Sequence, residues 1–105
     1  MEFLYKTTAV RLGMFTEGLS EHEKEIVNRH FSYLKSLTEQ GTVLLFGRTQ
    51  NSDATTFGII IFRGNSEKEA QSIMNGDPAV KEGVMRAELY PFKVGALNAR
   101  NWPTD

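Results

Sequence analysis

Two short segments carry apolar side chains at consecutive positions: Val43-Leu44-Leu45-Phe46, and the run from Phe57 to Phe62 that holds Ile59, Ile60 and Ile61. Each is too short for a helix and bounded by turn residues, so each reads as a strand. An antiparallel strand with one wet face alternates apolar and polar residues. These do not, so both faces of the sheet they form have to be covered. That requirement limits the folds open to the chain.

The neighbouring segments give the order strand, helix, strand, strand, helix, strand. Phe3 to Leu12 alternates loosely and reads as the first strand. Gly13 to Gly18 is a loop. Ser20-Glu21-His22-Glu23 is a capping box, in which the serine hydroxyl accepts a free helix N–H and the glutamate three residues on reaches back. The helix it opens runs to about Gln40, where Gly41 suits a left-handed end. The second strand spans Thr42 to Gly47 and the third Thr56 to Arg63, with a polar loop between them. Ser66-Glu67-Lys68-Glu69 reads as another capping box. Its helix places Ala70, Ile73 and Met74 on one side and stops at Gly76. Asp77-Pro78 reads as the cap and first residue of a further turn, Pro78 to Glu82. Val84 to Phe92 is the last strand. Pro91 has no N–H to give a ladder, which puts this strand at an edge. Residues 93–105 show no period.

A βαββαβ order is the ferredoxin-like α+β signature: a four-stranded antiparallel sheet with two helices on one face. Two helices cover one face only. With the whole chain used as a single domain, 1–105, the simplest cover for the other face is the sheet of a second copy. A homodimer is therefore expected.

The chain has 105 residues, 40% hydrophobic and 24% charged, with a net charge of −1 and no cysteine. Mixed charge without a basic face argues against nucleic-acid binding. The lack of cysteine excludes disulfides and thiolate chemistry. Two histidines, His22 and His30, are too few for a histidine metal cage, and no metal or cofactor is expected. The start Met1-Glu2-Phe3-Leu4-Tyr5-Lys6 is not a signal peptide, and no apolar run approaches the roughly 18 residues of a membrane span. A cytoplasmic, non-membrane chain is the expectation. P-loop, GxGxxG, HExxH and GxSxG patterns are absent.

The first helix is the segment richest in chemical information. At ~100° per residue, Ile26, Val27, Phe31, Tyr33, Leu34 and Leu37 fall within roughly 160°, and His30 lies near the middle of that arc. Burial disfavours an imidazolium and a carboxylate partner favours it, so a histidine so placed is either a general acid/base or a core residue bonded to a carbonyl. His22 belongs at the rim, and Glu21, Glu23 and Glu25 read as a solvated face. Asp77 caps the turn at Pro78, and its second oxygen is free to orient an imidazole. Arg48 follows an apolar strand. Its fork could hold a carboxylate, or its stem could carry the charge out to water. Tyr33, Tyr90, Phe92 and Trp102 are candidate cleft aromatics, although plain packing is the ordinary use of each.

The stretch His30-Phe31-Ser32-Tyr33-Leu34-Lys35-Ser36-Leu37, followed by Gly41-Thr42-Val43-Leu44-Leu45-Phe46-Gly47, resembles the YciI-related (YCII) family. Ser66 to Ala70, Asp77-Pro78-Ala79-Val80-Lys81-Glu82-Gly83-Val84 and Tyr90-Pro91-Phe92 resemble three further segments of it. The likeness covers most of residues 26–95. It implies ferredoxin-like subunits in a dimeric α/β barrel, and a His–Asp active-site pair that falls on His30 and Asp77. It further implies a cofactor-independent lyase or isomerase, like a dehydrochlorinase or muconolactone isomerase, acting on a small cyclic or aromatic compound. Arg48 and Tyr33 are the substrate-binding candidates from the reading of the residues themselves, not from the resemblance. A non-catalytic dimeric binding module for a small molecule is the alternative. The chain departs from the family in having Arg48 where proline follows Gly47, and Ala79 where an aromatic follows Asp-Pro.

Overall fold

The computed structural model describes residues 1–98. The chain order is β1 (Glu2–Ala9), α1 (Glu21–Glu39), β2 (Val43–Arg48), β3 (Phe57–Arg63), α2 (Glu67–Gly76), α3 (Pro78–Lys81) and β4 (Met85–Phe92). All three strand pairings are antiparallel, in the sheet order β2-β3-β1-β4. β4 is an edge, as Pro91 requires. No helix among the described residues is long and apolar enough to cross a membrane.

Strand parity decides which side chains meet the helices. Phe3, Tyr5 and Thr7 of β1 are buried, and their partners Phe62, Ile60 and Gly58 in β3 are buried with them. Leu34 of α1 and Ala70 and Met74 of α2 complete that core. The opposite face carries Leu4, Leu45, Ile59 and Ile61, together with Phe57, Tyr90 and Phe92, which are exposed. The helices cover one face only, as the element order implies.

Four details differ from the sequence reading. β1 stops at Ala9, because the chain turns away after Val10; Leu12, read as part of the strand, is 79% exposed. The loop that follows is not a mere connector. Its Met14 is fully buried with Ile26, Ala79 and Val84 in a second apolar cluster. Glu23 is not part of a solvated face. It completes the capping box on Ser20 and also takes two hydrogen bonds from Arg11, at 2.9 and 2.7 Å. Those bonds hold its carboxyl down at about 2, and they tie the β1–α1 loop to the start of α1. At α2 only half a capping box forms: Ser66 accepts from Glu69, but Glu69 turns to the backbone N–H of Asn65 rather than of Ser66.

Gly41 ends α1 as expected. Its φ is +85°, with the Thr42 N–H on the Leu37 carbonyl and the Gly41 N–H on that of Thr38. The bulge in β2 has no counterpart in the residue pattern. Val43 pairs with Phe62, but Leu45, not Leu44, pairs with Ile61. One extra residue flips the parity of the rest of the strand. Phe46 and Arg48, which strict alternation from Val43 would put on the open face, come round to the helix-covered face opposite Ile60 and Gly58.

Candidate functional site

α2 ends at Gly76 and α3 begins at Pro78, so Asp77 serves both helices: its N–H donates to Met74, and its carboxylate caps α3 by accepting from the Ala79 N–H at 3.0 Å. The side chain is completely buried. Tyr5, reaching up from the middle of β1, donates its hydroxyl to Oδ2 at 2.6 Å. His30, from α1, places Nδ1 2.7 Å from Oδ1 and 2.9 Å from Oδ2. Tyr5, His30 and Asp77 thus meet from three separate parts of the fold.

The neighbours of Asp77 fix its role. Ala79 N–H and Tyr5 O–H are donors, so the carboxylate acts as acceptor and Nδ1 of His30 carries the proton. Burial first, then the charge of Asp77, drives the Tyr5 phenol far above its ordinary range and keeps it a donor. The His30 side chain is 15% exposed and borders a cleft, which leaves Nε2 as the nitrogen facing that space.

The cleft has a volume of about 420 Å³, inside the rough 300–1,000 Å³ of ligand pockets. It opens at the end of the sheet where β1 and β2 finish and β3 begins. Val27, Phe31 and Leu34 of α1 form one wall and Phe15 and Leu19 of the pinned loop another, while Ile60 and Gly58 make the floor. Gly58 has no room for a side chain, since a Cβ there would stand 2.6 Å from Thr7 Oγ1. Phe31, expected to be buried on the helix stripe, is 54% exposed, but its ring meets that of Phe46 edge-on at 5.5 Å across the cleft mouth.

His30 and Asp77 come together. Arg48 lines the cleft, with its guanidinium 5.9 Å from the ring centre of Phe15 and one N–H on the Thr49 carbonyl. Tyr33 does not. Its hydroxyl donates to the Ile73 carbonyl at 2.6 Å and its ring packs against the main core, so it braces α1 on α2 and leaves the list of ligand contacts. Tyr90 and Phe92 point to the open face of the sheet, away from the cleft, and His22 is exposed. Trp102 lies outside the described residues. The sequence reading missed Tyr5, Thr7 and Thr56. Tyr5 had one visible signal, as a phenol on the inward face of a central strand needs a buried partner. Among the described residues no group of acidic, histidine or cysteine side chains could hold a metal ion.

The YCII-related domain family matches residues 5–93. No curated protein sequence matches the chain. Among solved structures, a 5-chloro-2-hydroxyhydroquinone dehydrochlorinase from Burkholderia phenoliruptrix, in complex with 2,5-dihydroxybenzoquinone, is similar with a TM-score of 0.68 and 22% identity, over 90% of this chain and 96% of that one. That likeness shows the fold. A formyltetrahydrofolate deformylase from Pseudomonas putida aligns with a TM-score of only 0.41 and 19% identity, over 86% of this chain and 28% of that one. With the fold, the segment order and the family match in agreement, the chain belongs to the YCII-related domain family.

Proposed function

We propose that the chain is a cofactor-independent lyase or isomerase in which His30 moves a proton on a small cyclic or aromatic compound while Asp77 orients the imidazole and compensates its charge. One observation carries this reading: Nδ1 is held by a buried carboxylate at 2.7 Å while the same ring borders an apolar cleft. Nε2 would take a proton from an acidic O–H or C–H of the ligand. Returning it to another atom completes an isomerisation. Keeping it while a leaving group departs with the bonding electrons completes an elimination. The similar dehydrochlorinase adds a fold-level analogy and a set of compounds to try.

A binding module is the second reading, and a specific feature favours it: beyond His30, the cleft offers threonine hydroxyls and Arg48 but no second acid or base. A panel of hydroxyquinones, chlorinated hydroquinones and unsaturated lactones separates the two. The expected result is chloride release or double-bond migration for at least one compound, together with ligand-induced shifts of the His30 ring signals in NMR. Shifts without turnover across the panel would leave the binding module.

Assembly is part of the proposal. The open face carries Leu4, Leu45, Ile59 and Ile61 beside Phe57, Tyr90 and Phe92, with Lys6, Arg86 and Glu88 on its β1–β4 side, and a second copy of the sheet is the cover that fits its apolar part. Such an interface belongs to the obligate class, about 2,000 Å² or more. Sedimentation at micromolar concentration should give a homodimer, and a stable monomer there would refute the assembly.

A further inference from the structure

We infer that the ligand of this cleft is a ring-bearing carboxylate whose anionic group is held by Arg48, an inference that rests on the proton-transfer reading of the same site and narrows it.

The β2 bulge is the first support. By shifting the register between Val43 and Leu45, it pairs Arg48 with Gly58 and so turns the arginine to the cleft side of the sheet. The Cβ of Arg48 lies on the same side as the position a Gly58 side chain would take, 3.9 Å from it. An arginine that only needed solvent would be served as well by the unbulged register, which points it away from the cleft.

The second support is the charge environment. No aspartate or glutamate lines the cleft, and no carboxylate among the described residues forms an ion pair with Arg48. The buried acid Asp77 is taken up by His30, Tyr5 and the Ala79 N–H. The Arg48 side chain is exposed; its guanidinium gives one N–H to the Thr49 carbonyl and stands 5.9 Å from the centre of the Phe15 ring, so most of its donors stay available. A guanidinium matches a carboxylate with two parallel N–H···O bonds.

The third support is the division of the cavity. Phe31, Phe46 and Phe15 make much of the cleft lining aromatic, which suits the body of a ring, and the threonines Thr7, Thr8 and Thr56 add only uncharged polar groups. An occupant would therefore place its carboxylate at the β2 end and its reacting atoms by the α1 histidine. A neutral ring would leave the arginine without a use for its position, and a compound with two anionic ends would bring a second charge among apolar walls.

The test compares 2,5-dihydroxybenzoate with 2,5-dihydroxybenzamide, which share a shape and differ in charge. Calorimetry is run on the native protein, Arg48→Gln and Arg48→Lys, with circular dichroism and melting temperature confirming that each variant is folded. His30 ring signals in NMR report cleft occupancy independently. The expected result is that both compounds shift the His30 signals and the carboxylate binds about ten-fold more tightly. Arg48→Gln should remove that preference and Arg48→Lys restore part of it. Equal affinities with His30 shifts intact, or a preference that survives Arg48→Gln, would overturn the role of Arg48 and leave the cleft reading standing. Binding of the carboxylate that depends on Arg48 yet never shifts the His30 signals would instead overturn the shared site.

Discussion

Asp77→Ala is expected to cost the folded state about 3–5 kcal/mol, the range for removing one partner from a buried charge-assisted network. The side chain is 0% exposed and accepts from three donors on three elements. Alanine would leave the Tyr5 hydroxyl buried without an acceptor, would free the Ala79 N–H at the head of α3, and would release His30 from its fixed orientation. Loss of the cap alone is worth roughly 0.5–2 kcal/mol. The Tyr5 hydroxyl adds another 1–3 kcal/mol or so if water cannot reach it. Asp77→Asn keeps the volume and one acceptor oxygen but turns a pair of donors toward groups that are themselves donors, so its loss should be smaller but still well above 1 kcal/mol. Urea denaturation of both variants checks this. A loss under about 1 kcal/mol for Asp77→Ala would mean that water or a repacked side chain satisfies Tyr5, and the reading of Asp77 as the joint between β1, α1 and α3 would fall.

The sequence was most legible where local chemistry and tertiary packing agree. The Ser20 capping box, the Gly41 helix end, the Asp77-Pro78 start of α3 and the edge strand signalled by Pro91 each rest on a backbone requirement that few residue types meet. His30 was legible for a related reason: a polar ring at the centre of an apolar helix stripe is a local contradiction that needs a partner. Features created by long-range pairing were not legible. The β2 bulge has no residue signature, because Val43, Leu44, Leu45 and Phe46 are all apolar and either register buries apolar groups. It nevertheless decides that Phe46 and Arg48 face the cleft. Tyr33 misled for the complementary reason. Its place on the stripe was right, but the carbonyl of Ile73, forty residues on, claimed its hydroxyl. Glu23 looked like one of several solvated acids until Arg11 folded back onto it.

His30→Gln is expected to abolish most of the chemistry and little of the fold. A general acid/base contributes about 10²–10⁴ in rate, so turnover of any compound identified in the panel should fall by that factor, with the Michaelis constant changed only slightly. Glutamine can still donate to Asp77 from its amide, which preserves the acceptor's satisfaction. The side chain it replaces is only 15% exposed, but glutamine is close to it in volume, so little burial is lost. Stability should drop by only about 1 kcal/mol, the ordinary worth of one rearranged hydrogen bond. This separation of rate from stability is what distinguishes His30 from Asp77, whose removal should damage both. The measurement pairs steady-state kinetics with denaturation on the same protein samples, and sedimentation establishes whether the assembly is unchanged. A glutamine variant that turns over within about threefold of the native rate would reduce His30 to a packing residue that happens to border the cleft. A variant whose rate and stability fall together would point to a histidine that matters only by holding α1 against the Asp77 turn. A large rate loss in a protein that melts and sediments normally is the outcome the geometry calls for, because the one nitrogen of the dyad that faces the cleft, Nε2, has then been replaced by a group unable to shuttle a proton.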